Sequence, residues 1–265
     1  MTADRWAQAV RHQLRLGRLL PLGEARDGAW ITEEAAESVL RRAAASVGGV
    51  RLGRLRIALV DPDGTDAPAV PAPPSALAPG PLRVAAECAV AADPGDVGAQ
   101  ALPVAADRLR RALSAAATHR LGLEVSEVDL RVTELLADPA PSGGSPAGDA
   151  PAGEGTAAAA GGPERPEAAE GPSGREDSGA SEEARLAAAA RAVPGVTRLT
   201  SALGRSVDIA TPAETGPAVP RRHVRVEVAV QAEGRAVDVA RAVRTAVAGA
   251  ARDTPSVAVL VTAVG

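Results

Sequence analysis

At 265 residues the chain has room for one or two domains, and with 46% apolar residues it can bury real cores. It holds no Phe or Tyr and only Trp6 and Trp30, so Ala, Val and Leu must build those cores, each burying less area than an aromatic ring. The net charge is −4, no apolar run approaches the ~20 residues that span a bilayer, and Arg11, Arg15 and Arg18 interrupt any secretory h-region.

Residues 4–22, DRWAQAVRHQLRLGRLLPL, predict a basic amphipathic helix. Trp6, Val10 and Leu14 share one face, Arg11, Arg15 and Arg18 flank it, and Leu16, Leu19 and Leu20 continue the stripe past Gly17. Such a segment can dock on its own module, on a protein partner or on an anionic membrane surface. These six residues (Trp6, Val10, Arg11, Leu14, Arg15 and Arg18) are the candidate contact site.

A helix with an acidic first turn follows from Thr32, closing on VGGV at 47–50, with a weak strand at about 53–60. From Leu82 the chain alternates. Val84, Ala86, Cys88 and Val90 point one way, with Arg83 and Glu87 opposite. Pro103 opens a helix whose apolar stripe is Ala105, Leu109, Ala112, Leu113 and Ala116, and Gly122 ends it. Val128, Leu130 and Val132 then alternate with Glu127, Asp129, Arg131 and Thr133.

Residues 138–183 hold ten acidic residues, two arginines and almost no large apolar side chain, so they read as a disordered acidic linker. Removing its charge of −8 leaves the rest of the chain at +4. Beyond it the order recurs. A helix runs through SEEARLAAAARA to VPGV at 193–196, and a weak strand lies near 203–210. Val224, Val226, Val228 and Val230 alternate with His223, Arg225, Glu227 and Ala229. A helix carries Val239, Val243, Ala246, Val247 and Ala250, Pro255 stops it, and a strand apolar on both faces ends the chain at 257–264. The expectation is an α+β fold: two copies of an α-β-β-α-β module, each with its helices on one face of a small sheet. The predicted domains are a basic N-terminal segment (1–30), a first module (31–137), the linker (138–183) and a second, diverged module (184–265).

Residues able to carry chemistry are few. His12, His119 and His223 lie in three separate segments at no ligand spacing, and one cysteine leaves little for a zinc site. Cys88 reads as core packing, with a reactive thiol as the other reading. That single cysteine excludes an intrachain disulfide and fits a reducing cytosol. Gly153-Glu154-Gly155 with Ala158 spells G-x-G-x-x-A, but it sits in the linker with no strand before it. No catalytic residue, metal site or cofactor site is predicted. The 29 basic residues are all arginine, which coding bias in a GC-rich genome explains. The doublets Arg41-Arg42, Arg110-Arg111 and Arg221-Arg222 read as solvated positions, with nucleic acid or lipid headgroups as the alternative. No aromatic stands on a predicted sheet face to stack a base.

The Val-x-Gly-Val turn after each first helix, the strand VRVEVAV and the closing strand LEVSEVDLRVTEL resemble the alkaline shock protein family, envelope stress response proteins of Gram-positive bacteria. Leu123 to Val132 match its closing strand well. The second copy departs from it, with Thr254-Pro255-Ser256-Val257 in place of Leu-Glu-Val. The duplicated form looks like an actinobacterial branch, some members of which carry a nucleopolyhedrovirus label. The resemblance implies a non-enzymatic scaffold or adaptor in envelope homeostasis, cytoplasmic and peripheral to the membrane. Its partner would be a membrane-anchored or paralogous protein, or another copy of itself. The alternative is an Arg-rich nucleic-acid-binding or regulatory protein.

Overall fold

Residues 17–92, 101–137, 176–210 and 222–265 are described in a computed structural model, where they form an α+β fold with mixed sheets. The first helix, α1 (Glu33–Ala45), starts where the Thr32 hydroxyl accepts the Ala35 N–H at 3.2 Å. Glu33 and Glu34 sit in its positive first turn, and Gly49 turns the chain at φ 73.

Strand β3 (Val50–Leu59) pairs antiparallel with β4 (Leu82–Ala92), and β4 pairs parallel with β5 (Val125–Ala137). Helix α2 (Ala101–Ala115) makes the crossover that parallel strands require and runs on into one π-helical turn, Ala116–Leu121. Gly122 closes it in the left-handed region. In the C-terminal half, α3 (Glu176–Arg191) precedes β6 (Val196–Leu199) and β7 (Val207–Ala210). Both are antiparallel to β8 (His223–Val230). Helix α4 (Ala236–Ala250) then crosses over to β9 (Ser256–Val264), which lies parallel to β8. Of the predicted linker, residues 138–175 lie outside the described residues, and 176–183 belong to α3.

The N-terminal segment departs from its sequence reading. Leu19–Pro21 is a strand, β1, where the apolar stripe carries the helix on through Leu19 and Leu20. Gly17 breaks any helix with φ 66, and Pro21, lacking an N–H, suits an edge strand. A single 3-10 turn leads to β2 (Ala29–Thr32), antiparallel to β1 and parallel to β9, with Trp30 opposite Leu260. The boundary expected between residues 30 and 31 therefore cuts a strand. The larger sheet runs β1-β2-β9-β8-β6, joining both ends of the chain, and the smaller runs β3-β4-β5.

One apolar core spans both halves. It takes Leu40 and Val39 from α1, Leu109 and Leu113 from α2, Val84 and Cys88 from β4, and Val226, Val243 and Val259 from the C-terminal half. The opposite face of the larger sheet is covered as well. Trp30, Leu19, Ala258 and Leu260 pack there against Val70, which the β3–β4 connection brings across. That connection is tied down by Leu77 N–H to Leu19 O at 2.8 Å and by the Trp30 indole N–H to Leu77 O at 3.3 Å.

Candidate functional site

The smaller sheet is treated differently. Period two places Val84, Ala86 and Cys88 in the core, and register sets Ile57 and Leu55 beside them. The same alternation turns Arg83, Ala85 and Glu87 of β4 outward, flanked by Arg54 and Arg56 of β3 and by Glu127, Asp129 and Arg131 of β5. Ala85 is short, so its neighbours enclose a shallow trough of about 210 Å³ lined by Arg54, Arg56, Glu87, Asp129 and Arg131.

Charge is graded across this face. The β3 side carries Arg51, Arg54 and Arg56, while the β5 side carries Glu127, Asp129 and Glu134 around Arg131. Arg83 Nε lies between Glu127 at 2.5 Å and Asp129 at 3.5 Å, and Arg51 reaches Glu134 at 3.1 Å. The Glu127 hydrogen bond, with its charge, raises the Arg83 guanidinium above its ordinary value. Among the described residues, Arg54, Arg56 and Arg131 have no ion-pair partner, so they are free to meet acidic groups from outside.

Beside this face, at the free edge of β5, the apolar side chains of Val132 and Leu135 are 41% and 55% exposed. Leu102 and Val104, in the first turn of α2, are also exposed. Val132 and Leu135 pair with the core-facing Cys88 and Val90, so they lie at the margin of the helix-covered side, opposite the charged face.

A second concavity of about 410 Å³ lies where the halves meet, between α1, the π turn and the ends of β8 and β9. Its floor is Val39, Ala43, Ala116 and Val264, and its rim is Arg42, His119 and Arg120. Arg42 is occupied, donating to Ser38 Oγ at 3.3 Å and to the Val264 carbonyl.

Of the six predicted contact residues, only Arg18 is described; Trp6, Val10, Arg11, Leu14 and Arg15 lie outside the described residues. Arg18 bonds to the chain's own elements: its Nη2 donates to Glu33 Oε1 at 3.2 Å and to Ile57 O at 2.5 Å. It ties β1 to α1 and β3 while its side chain stays 43% exposed. Cys88 is buried, and burial pushes its thiol above the ordinary value, as core packing demands. His223 is half-buried against Ser256 Oγ at 2.9 Å, and His119 stands exposed on the π turn. Several arginines of the doublets bind backbone: Arg41 to Gly53 O at 2.8 Å and Arg110 to Val128 O at 3.3 Å. Arg222 is ion-paired with Glu182 and Asp253. Among the described residues, no cluster of three His, Cys, Asp or Glu could hold a metal ion, and no helix is long and apolar enough to cross a membrane.

Two groups carry buried charge that sequence reading passed over. Glu227 is fully buried, and both its oxygens accept the Leu203 N–H at 3.1 Å; burial nonetheless pushes its carboxyl up. Asp27 takes two hydrogen bonds from Arg241, 214 positions away in sequence. A lone acid inside an otherwise Val-rich alternation was the available signal for Glu227. Asp27, in a polar turn, gave none. Compared with known proteins, the chain matches no family model, no curated protein and no solved structure.

Proposed function

We propose that this chain is a non-enzymatic adaptor that binds a protein partner on the bare face of the β3-β4-β5 sheet. The observation that carries the reading is an asymmetry. The outer face of the larger sheet is capped by the chain's own β3–β4 connection, whereas among the described residues nothing caps the outer face of the smaller sheet, which carries a trough and arginines without ion-pair partners. The reading also takes the chain to be a fused duplication. Each half runs helix, antiparallel strand or strand pair, central strand, crossover helix, parallel strand, and the resemblance to alkaline shock proteins rests on that order. By that resemblance the partner is a membrane-anchored or paralogous protein at the cytoplasmic face, and the setting is envelope homeostasis or stress.

The test places a photo-crosslinking side chain at Ala85 in native-host cells and compares the wild type with Arg54→Glu/Arg56→Glu. Cells expressing the full chain and a chain starting at Gly17, which keeps β1, are fractionated in parallel. The adaptor reading expects a discrete crosslinked protein that the charge reversal removes while thermal stability holds. Crosslinks unchanged by the reversal would remove the bare face from consideration. Retention on duplex or single strands that weakens steeply with salt would favour the nucleic-acid alternative.

A further inference from the structure

The smaller sheet stops at β5. Among the described residues no strand pairs with its outer side. Val128 O is met from that side by Arg110 Nε at 3.3 Å. In a parallel pair alternate residues turn their N–H and C=O away from the neighbour, so Leu130 and Val132 share the outward direction of Val128. Ser126 and Thr133 are the extra residues at two register shifts against β4, and the stretch between them, 127–132, is regular.

Resting on the adaptor reading for its setting, we propose that this edge pairs antiparallel with the same edge of a second copy, about a two-fold axis at Leu130. A two-fold contact must be self-complementary: if one residue meets another, the reverse pairing occurs too. For the two helix-covered faces to stay on one side, residues facing each other must have the same parity. Centred on Leu130, Asp129 meets Arg131 twice, Val128 meets Val132 twice, and Leu130 meets itself. Centred one position earlier, Asp129 meets Asp129; one position later, Arg131 meets Arg131. Like charges directly opposed are destabilising, so charge selects the Leu130 register.

The outward groups of Val128, Leu130 and Val132 then exchange roughly six hydrogen bonds, with Arg110 released from its carbonyl. The pairing covers Val132 and brings Leu135 opposite Val125. Helix α2 packs on both β4 and β5. Across the new seam the two α2 helices come about two strand spacings apart, roughly 9–10 Å, which is a normal helix–helix distance. The exposed Leu102 and Val104 belong to those helices.

The experiment is analytical ultracentrifugation of the full chain over a range of concentrations. The wild type should dimerise. Arg131→Asp should weaken the dimer at least about tenfold, because it opposes two acids twice. The swap Asp129→Arg/Arg131→Asp should restore it, which a merely structural role of either residue would not do. In parallel, Leu130→Cys should form a disulfide dimer under mild oxidation, its Cα atoms about 5.5 Å apart across the axis. Ser126→Cys, roughly 27 Å from its mate, should not. A wild-type monomer, a dimer indifferent to Arg131→Asp, or crosslinking at position 126 and not at 130 overturns the proposal. If self-pairing fails while the Ala85 crosslink persists, the adaptor reading stands alone. If the dimer forms but charge reversal at Arg54 and Arg56 releases nothing, the adaptor reading falls and the pairing remains.

Discussion

Asp27→Ala should detach the N-terminal hairpin from the C-terminal half. The Asp27 side chain is 9% exposed; Oδ1 accepts from Arg241 Nε at 2.9 Å, and Oδ2 from Arg241 Nη2 at 2.7 Å and from Glu24 N–H at 2.8 Å. Burial works to raise this carboxyl, but the Arg241 hydrogen bonds, the Glu24 N–H and the nearby positive charges outweigh it, so it titrates below its ordinary value. Hydrogen bonds to charged groups contribute about 1.5–3 kcal/mol each. Arg241 is 41% exposed and keeps Asp238 at 3.2 Å, so much of its share is recovered from water. The net loss should be about 2–3 kcal/mol, or about 5–10 °C in Tm. Urea unfolding, read by Trp30 emission in a Trp6→Phe background and by far-UV circular dichroism, measures it. A double-mutant cycle with Arg241→Ala should return a coupling of about 1–2 kcal/mol. A depressed carboxyl contributes stability above its unfolded value and loses it as pH falls through the folded one, so Asp27→Asn should flatten the acid limb of the stability curve. A loss under about 0.5 kcal/mol with no coupling would refute the clamp.

Glu227, raised by burial, acts in the opposite sense: stability is lost as pH rises from 4.5 to its higher folded value, so Glu227→Gln should be at least as stable as the wild type at alkaline pH and should lack that loss in the same urea titrations. His223 is held below 6.5 by burial and then by the charge of Arg225; the fold should lose stability as pH falls from 6.5 to the lower folded value, a loss that His223→Gln removes in the same urea titrations. Gly122→Ala should cost about 2–4 kcal/mol, since φ is +91 and the new Cβ would strike Val237 Cγ1 where the halves touch. Cleaving the chain at a protease site inserted among residues 150–160 should leave two fragments that co-elute until denaturant is added, because β2 lies beside β9; separate elution would mean the halves are merely tethered.

Much of this could be read from the chain itself. The four valines at 224–230 and the alternation from Leu82 predict β8 and β4, and the two-sided apolar run at 257–264 predicts the buried β9. Arg83, Glu87, Asp129 and Arg131 were correctly placed on outward positions by the same rule. Leu19–Pro21 and Ala29–Thr32 were not legible, since strands of three and four residues are too short to show a period. Val70 and Leu77 sit in a Pro-rich run that reads as loop, with nothing local to mark it as a cover for Trp30.

Periodicity is a property of neighbours along the chain, so the sequence alone determined the longer helices and strands, such as β4, β8 and α4, and which side of each is apolar. Which strand lies beside β9, which sheet face is capped and which stays bare depend on contacts hundreds of positions apart, such as Trp30 beside Leu260 and Asp27 on Arg241. Those are settled only when the whole chain competes for the same buried surface, and among the described residues that competition leaves nothing packed on the outer β3-β4-β5 face or paired along the β5 edge.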